Sequence, residues 1–151
     1  MGNRKKKILL INPIIQYRKG FSVGRGTQAP LGLGIIAALT PSDFDVEILD
    51  EVHDTFELKD ADLVGLTSFT FNVPRAYEIA SMYRAKGIPV VLGGIHASMM
   101  PDEALAYVDS VVIGEAESVW NVVLSDFLAN SLKKKYFGEY LDMSNSPQPR
   151  L

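Results

Sequence analysis

The sequence contains no cysteine among its 151 residues. Disulfide bonds, zinc sites built on thiolates and iron–sulfur clusters held by cysteine are therefore excluded within these residues. Long apolar runs are also missing, because no stretch approaches the roughly 20 residues that a membrane-spanning helix needs. The apolar run Lys7–Asn12 follows a basic start but is too short for a signal peptide and meets Pro13. We therefore expect a cytoplasmic protein without a membrane span.

An excess of charge of one sign is absent too. The net charge of −3 offers no electrostatic argument for nucleic-acid binding. The short basic run Arg4–Lys7 is interpreted as a solubilising segment rather than a specific anion site. What the chain does have is 47% hydrophobic and 22% charged residues, which is ordinary for a globular domain. Its length predicts one domain with a sizeable core.

Short apolar runs that alternate with helical patterns dominate the chain. Such alternation predicts an α/β fold in which a parallel sheet carries helices on both faces. With right-handed crossovers, the best interpretation is a flavodoxin-like, doubly wound, five-stranded sheet of order 2-1-3-4-5. The predicted strands are Ile8–Ile11, Asp45–Asp50, Leu63–Phe69, Pro89–Gly94 and Ser110–Gly114, with an extra edge strand considered at 136–140. The predicted helices are 30–39, 73–86, Pro101–Tyr107 and 117–132.

Ligands of such sheets bind beyond the carboxyl ends of the strands, where the strand order reverses. At the predicted ends of strands 3 and 4 lie the hydroxyls of Thr67 and Ser68 and the bare backbone of Gly93 and Gly94. Together they predict a narrow slot with few polar groups, suited to a flat, mostly apolar ring on a tail. The alternative is that these glycines only allow close packing of helices on the sheet.

Other ligands of this fold fit the strand ends less well. A phosphoacceptor receiver domain needs acids after strands 1 and 3 and a lysine after strand 5, but Asn12, Thr67 and Gly114 stand there. FMN needs a phosphate loop directly after strand 1, and Pro13 follows instead, so FMN is a weak alternative. The segment 24–29 matches the dinucleotide pattern G-x-G-x-x-A but begins about a dozen residues after strand 1 ends, so we interpret it as a loop.

Several short motifs, in this order and spacing, carry a family resemblance. The sequence resembles the N-terminal cobalamin-binding domain of the B12-dependent radical SAM enzymes over about residues 5–142. It is most similar to the branch that contains the anaerobic magnesium-protoporphyrin IX monomethyl ester cyclase. The motifs are Pro30–Gly34, Asp45–Asp50, Gly65–Ser68, Val90–His96 and Val112–Glu117.

The resemblance implies a flavodoxin-like domain in which the nucleotide tail of cobalamin enters at the ends of strands 3 and 4. Thr67 and Ser68 would line the tail, and Gly93 would let its dimethylbenzimidazole pass the backbone together with Gly94. The family more often has glycine where Ala116 stands. The implied cofactor-binding residues are Asn12, Pro13, Leu31, Gly32, Thr67, Ser68, Phe69, Thr70, Gly93, Gly94, Ile95, His96, Gly114, Glu115, Ala116 and Glu117.

Cobalt ligation by a histidine is not expected. Other cobalamin domains use the histidine of an Asp-x-His-x-x-Gly motif after strand 1, and that motif is absent here. His53 follows strand 2, where Phe56 replaces the required glycine, and His96 follows strand 4. We expect base-off cobalamin without a protein ligand to cobalt.

The resemblance also bears on the larger protein. Because radical SAM chemistry needs a [4Fe–4S] cluster on cysteines, we expect this chain to be a cofactor-binding module that is not catalytic alone. Residues 1–142 would form the module, and 143–151 would begin a linker to a missing radical SAM barrel that holds the cluster and S-adenosylmethionine. The reaction there would be either methyl transfer to an unreactive carbon or oxidative cyclisation on a tetrapyrrole. An FMN electron-transfer domain and a ligand-free docking scaffold stay open as alternatives.

Overall fold

A parallel sheet organises residues 4–14, 31–139, 144 and 147–150, the part of the chain that the computed structural model describes. Its strand order is β2-β1-β3-β4-β5-β6, and every neighbouring pair is parallel. The predicted flavodoxin-like order is thereby confirmed, with one strand added at the edge. The strands are β1 (Lys6–Asn12), β2 (Phe44–Asp50), β3 (Leu63–Thr67), β4 (Val90–Gly93), β5 (Ser110–Ile113) and β6 (Lys135–Phe137).

Helices cover both faces of this sheet. One face packs against α1 and α5, and the other packs against α2, α3 and α4. No described helix combines the length and apolar character that crossing a membrane requires. The helices are α1 (Leu31–Leu39), α2 (Val73–Ala85), α3 (Ile95–Met99), α4 (Pro101–Ala104) and α5 (Trp120–Leu128), and a 3₁₀ turn at Ala116–Ser118 precedes α5.

Strand β1 shows why the apolar runs lie at the centre. Successive side chains of a strand point to opposite faces, so Ile8 and Leu10 face α1 and α5 while Leu9 and Ile11 face α2. Because helices cover both faces, a central strand must be apolar at every position. The whole run is buried, with at most 1% of any of these side chains exposed.

Helix α2, predicted over 73–86, buries one apolar face with the period of a helix. Its positions Ala76, Ile79, Ala80 and Tyr83 are fully buried against the sheet. Gly87 follows the end of the helix, where its φ of 75° is a left-handed conformation that glycine adopts without strain.

Several predicted boundaries are wrong. The helix predicted over 117–132 is a 3₁₀ turn followed by α5, and the helix predicted over Pro101–Tyr107 ends at Ala104. Helix α3 was not predicted at all. The edge strand considered at 136–140 is β6, which begins at Lys135 and ends at Phe137. The segment 24–29 lies outside the described residues.

Asn72 stands at the N-cap position of α2 but makes no side-chain cap bond. Its Oδ1 accepts from the amide of Phe69 at 2.8 Å, and its Nδ2 donates to the carbonyl of Pro13 at 3.0 Å. Asn72 therefore joins the loop after β3 to the chain that leaves β1.

Candidate cofactor site

A cavity of about 190 Å³ opens at the carboxyl ends of β3, β4 and β5, on the face that α1 and α5 cover. Its floor is a row of neighbouring strand positions, because Leu10 pairs with Gly65 and Gly65 pairs with Val91. Val112 of β5 continues the floor. A Cβ at Gly65 would lie 2.8 Å from Cδ2 of Leu10, so the glycine makes room for the leucine side chain. The floor of the cavity is therefore part of the hydrophobic core.

The walls of the cavity come from α1 and α5. Leu33 and Ile36 line it from α1, and Trp120 lines it from the start of α5. The indole Nε1 of Trp120 donates to Oγ1 of Thr40 at 2.9 Å, and that hydroxyl donates to the carbonyl of Ile36 at 2.8 Å. These two hydrogen bonds fix the position of the tryptophan ring relative to the end of α1.

The two glycines after β4 do different things. A Cβ at Gly93 would meet no atom within 4 Å, so this residue leaves open space along the cavity. Gly94 has a φ of 97°, and a Cβ there would lie 2.7 Å from the carbonyl oxygen of Ser68 and 2.9 Å from Oγ1 of Thr67. Gly94 is therefore required by the backbone path into α3. Of these two glycines, Gly93 alone has no steric reason in the fold to lack a side chain.

The segment Gly114–Glu117, here called the β5 loop, forms one side of the mouth. It starts with Gly114 at a φ of 84° and leads into the 3₁₀ turn before α5. Ala116, where glycine was expected from the family resemblance, lines the cavity and is half-buried.

The sixteen residues predicted for the site divide into two equal groups. Those that line the cavity are Gly32, Thr67, Gly93, Gly94, Gly114, Glu115, Ala116 and Glu117. Those that lie outside its lining are Asn12, Pro13, Leu31, Ser68, Phe69, Thr70, Ile95 and His96.

Ser68 directly follows Thr67, a residue of the cavity lining, and its backbone lies beside Gly94. Its side chain is 2% exposed, and its hydroxyl is the one buried side-chain polar atom without a hydrogen-bond partner in the described part of the chain. Buried polar groups are almost always paired, so this unpaired hydroxyl is a candidate partner for a ligand.

The side chain of His96 makes hydrogen bonds on the face of the sheet that α2, α3 and α4 cover. Its Nε2 lies 2.5 Å from Oε2 of Glu103, and its Nδ1 lies 3.2 Å from Oγ1 of Thr70. The hydroxyl of Tyr77 donates to the same glutamate oxygen at 2.9 Å. Hydrogen bonds from His96 and Tyr77 hold the pKa of Glu103 below its ordinary value, and burial raises the pKa of Tyr77. His53 is half-exposed, with Nε2 3.9 Å from Oδ2 of Asp50.

The chain leaving β1 is held by polar contacts away from the cavity. Nδ2 of Asn12 donates to Oδ1 of Asp50 at 3.0 Å, which joins the ends of β1 and β2. The amide of Ile14 donates to Oε2 of Glu51 at 2.8 Å, and Arg75 pairs with the same carboxylate at 2.6 Å. Asn12 and Pro13 therefore orient the segment that follows β1.

Three further residues of the predicted set, Phe69, Ile95 and Leu31, have exposed apolar side chains. The rings of Phe69 and Phe71 stack with centroids 5.1 Å apart, and both are about half exposed or more. Ile95, at the start of α3, is also more than half exposed, as is Leu31 at the start of α1.

Sequence reasoning did not place the apolar part of the lining in the site. Strand alternation could have found part of it, because Leu10, Val91 and Val112 fall on the face of Gly65. Trp120 carried a signal as the single tryptophan of the chain. The lining residues absent from the predicted set are Leu10, Leu33, Ile36, Gly65, Leu66, Val91, Val112 and Trp120.

Comparison with known proteins agrees with this architecture. The chain is 45% identical over 114 residues to the bacteriochlorophyllide d C-8(2)-methyltransferase of Chlorobaculum tepidum, covering 72% of the chain and 25% of that protein. It is 37% identical over 135 residues to the bacteriochlorophyllide d C-12(1)-methyltransferase of the same organism, covering 87% and 29%. An uncharacterized methyltransferase of Pyrococcus horikoshii is 30% identical over 125 residues, with coverage of 74% and 27%.

The chain thus spans between a quarter and a third of the length of the curated relatives that it matches. The family described as "B12 binding domain" matches residues 21–124, which include β2 to β5 and the start of α5. The predicted membership of a cobalamin-binding family is confirmed, and the chain belongs to the B12-binding domain family.

Proposed function

We propose that this chain binds cobalamin as a cofactor module and takes the nucleotide tail of the cofactor into the cavity between the sheet and helices α1 and α5. The observation that carries this proposal is the apolar cavity at the carboxyl ends of β3, β4 and β5, where Gly93 leaves open space. This is the edge at which doubly wound sheets bind ligands.

The size and lining of the cavity fit the ring at the end of the tail. An apolar cavity of roughly 150 Å³ accommodates a benzene ring. At about 190 Å³ and open at the mouth, the cavity here suits one somewhat larger flat ring such as dimethylbenzimidazole. The strand floor and Trp120 supply the apolar surface, and Gly93 allows the ring to lie against bare backbone.

A few polar groups stand beside this apolar surface, as in most small-molecule sites. Thr67 lines the cavity, and Ser68, whose backbone lies beside Gly94, carries an unpartnered hydroxyl. Both hydroxyls can donate to or accept from the ribose and phosphate groups of the tail.

Cobalamin is proposed to bind base-off, without a histidine of this chain on cobalt. A base that occupies the cavity is not available to the metal. The side chain of His96 contacts Glu103 and Thr70 on the other side of the sheet, and His53 lies after β2 beside Asp50. When bound, cobalamin supplies a cobalt centre that can carry a methyl group, and the chain's own residues hold and orient the cofactor.

We further propose that residues 1–142 act within a longer methyltransferase, joined through 143–151 to a radical SAM domain with its [4Fe–4S] cluster and S-adenosylmethionine. The support is that three relatives, of which this chain covers a quarter to a third, are methyltransferases. Two of them act on bacteriochlorophyllide d by name, which favours methyl transfer on a tetrapyrrole over oxidative cyclisation.

The test is retention of the cofactor by the purified chain. The chain is mixed with hydroxocobalamin or, separately, with FMN, and absorbance spectra are recorded after desalting. We expect corrin bands to stay with the protein and flavin bands to be lost. Retention of flavin alone would support an electron-transfer domain instead, and retention of neither would support a docking scaffold.

A further inference from the structure

The ends of β4 and β5 meet at the cavity without strand pairing between them. The paired residues of the two strands are Val91 with Ser110 and Leu92 with Val111. Gly94 and Gly114 lie beyond these pairs, and both line the cavity. Something other than the ladder of the sheet must therefore set the distance between the two strand ends at this point.

The hydroxyl of Ser98 spans this gap. Ser98 belongs to α3 and lies outside the lining of the cavity. Its Oγ donates to the carbonyl of Gly94 at 3.2 Å and accepts from the amide of Gly114 at 2.9 Å. One side chain thus joins two glycines that both line the cavity.

The far side of the β5 loop is closed by Gly138, just after β6. Its amide donates to the carbonyl of Ile113 at 2.7 Å. A Cβ at Gly138 would lie only 1.9 Å from the carbonyl oxygen of Glu115, and a Cβ at Gly114 would lie 2.8 Å from the carbonyl oxygen of Gly138. Backbone therefore packs on backbone here, and the loop has no room to move away from β4.

We propose that Ser98 is a positioning residue of the cofactor site, which sets the width of the mouth by holding the β5 loop against the end of β4, with Gly138 as the stop on the other side. The inference rests on the proposed function for its consequence, because the width matters only if a ligand enters there. Ser98 acts through Gly94 and Gly114 and does not itself touch the cofactor.

The test compares Ser98→Ala with Ser98→Thr, which keeps the hydroxyl. Ser110→Ala is the matched control, because Ser110 is a buried serine at the opposite end of β5 whose Oγ donates to the carbonyl of Lys133 at 2.6 Å. The dissociation constant for hydroxocobalamin and the melting temperature are measured for each variant of the purified chain. Amide exchange at Gly114 and the amide shifts of Glu115 are followed by NMR without cofactor.

We expect Ser98→Ala to weaken cobalamin binding by about five- to tenfold, as the loss of one or two hydrogen bonds implies. Ser98→Thr should bind within about twofold of the wild type by the same reasoning. Ser110→Ala should melt at a lower temperature and bind cobalamin with unchanged affinity. In the cofactor-free protein, Ser98→Ala should accelerate exchange at Gly114 and shift the amide of Glu115.

Unchanged affinity in Ser98→Ala, or a loss that Ser98→Thr does not restore, would overturn the proposal. A wild-type chain that retains no cobalamin would refute the proposed function instead. The NMR measurement then still decides the positioning role, since an unshifted Glu115 amide in Ser98→Ala would show that the serine does not hold the loop.

Discussion

The substitution Gly93→Leu fills the cavity from a position where the fold itself leaves space. A Cβ at Gly93 meets no atom within 4 Å, so a leucine side chain can enter the cavity without displacing backbone. Since glycine is a poor strand residue, the change should alter the free energy of unfolding by no more than about 1 kcal/mol. The substitution therefore separates loss of the ligand space from loss of the fold.

The expected effect on binding follows from the area that the ring would no longer bury. An aromatic ring buries roughly 150–250 Å², and apolar burial contributes about 25 cal/mol per Å², so excluding the ring costs about 4–6 kcal/mol. Because about 1.4 kcal/mol corresponds to a factor of ten, the affinity for cobalamin should fall by about 10³-fold to 10⁴-fold. Gly93→Ala, which adds one methyl group, should give a smaller loss.

The assay is titration of each variant with hydroxocobalamin, followed by absorbance, with thermal unfolding measured in parallel. Gly94→Ala is the contrasting variant, because its Cβ would lie 2.7 Å from the carbonyl oxygen of Ser68 at a φ of 97°. That strain should cost about 1–3 kcal/mol and lower the melting temperature by about 2–4 °C for each kcal/mol. Wild-type affinity in a folded Gly93→Leu variant would refute the placement of the tail along this residue.

Three other outcomes are expected. The electron-spin spectrum of the cob(II)alamin complex should lack nitrogen superhyperfine splitting, and a splitting that disappears in His96→Ala or His53→Ala would contradict base-off binding without a protein ligand. The emission of Trp120, the single tryptophan, should be quenched when cobalamin binds, because this ring lines the cavity; unchanged emission at saturation would argue against the site. The guanidinium of Arg4 holds the pKa of Asp62 below its ordinary value of 3.8, so this carboxylate contributes stability that is present above pH 3.8 and lost as the pH falls below it. Urea unfolding of Asp62→Asn should therefore lose less stability than the wild type between pH 5 and pH 3, and equal losses would contradict the assignment.

The strand order was predictable because each central strand is a short apolar run and right-handed crossovers leave few arrangements. Strand β6 was harder to predict, because Lys135–Phe137 has only three residues and forms through pairing with β5. Helix α3 depends on the left-handed φ of Gly94. A glycine in the sequence permits this conformation but does not show that the chain adopts it. Local pattern thus predicts the centre of the sheet better than its edge and its loops.

The same limit applies to the site. In the sequence, Gly93 and Gly94 are equivalent neighbours. Only the backbone path shows that a side chain at Gly94 would collide with the backbone of Ser68, whereas Gly93 leaves open space. The orientation of His96 depends on Glu103, which lies in another helix, so the position of the histidine after β4 does not predict where its ring points. The apolar floor residues Leu10, Val91 and Val112 belong to the hydrophobic core of the fold. The sequence therefore does not distinguish them from core residues that have no part in the site.

That double role of Leu10, Val91 and Val112 has a consequence for the lifetime of the protein. A ring that enters the cavity packs on the core itself, so cofactor binding and folding are thermodynamically linked. At a free cofactor concentration of about 100 times Kd, such linkage stabilises the folded state by about 2.7 kcal/mol. A cell short of cobalamin would then hold this domain in its less stable form, more often open to proteases, and the abundance of the protein would follow the supply of its cofactor.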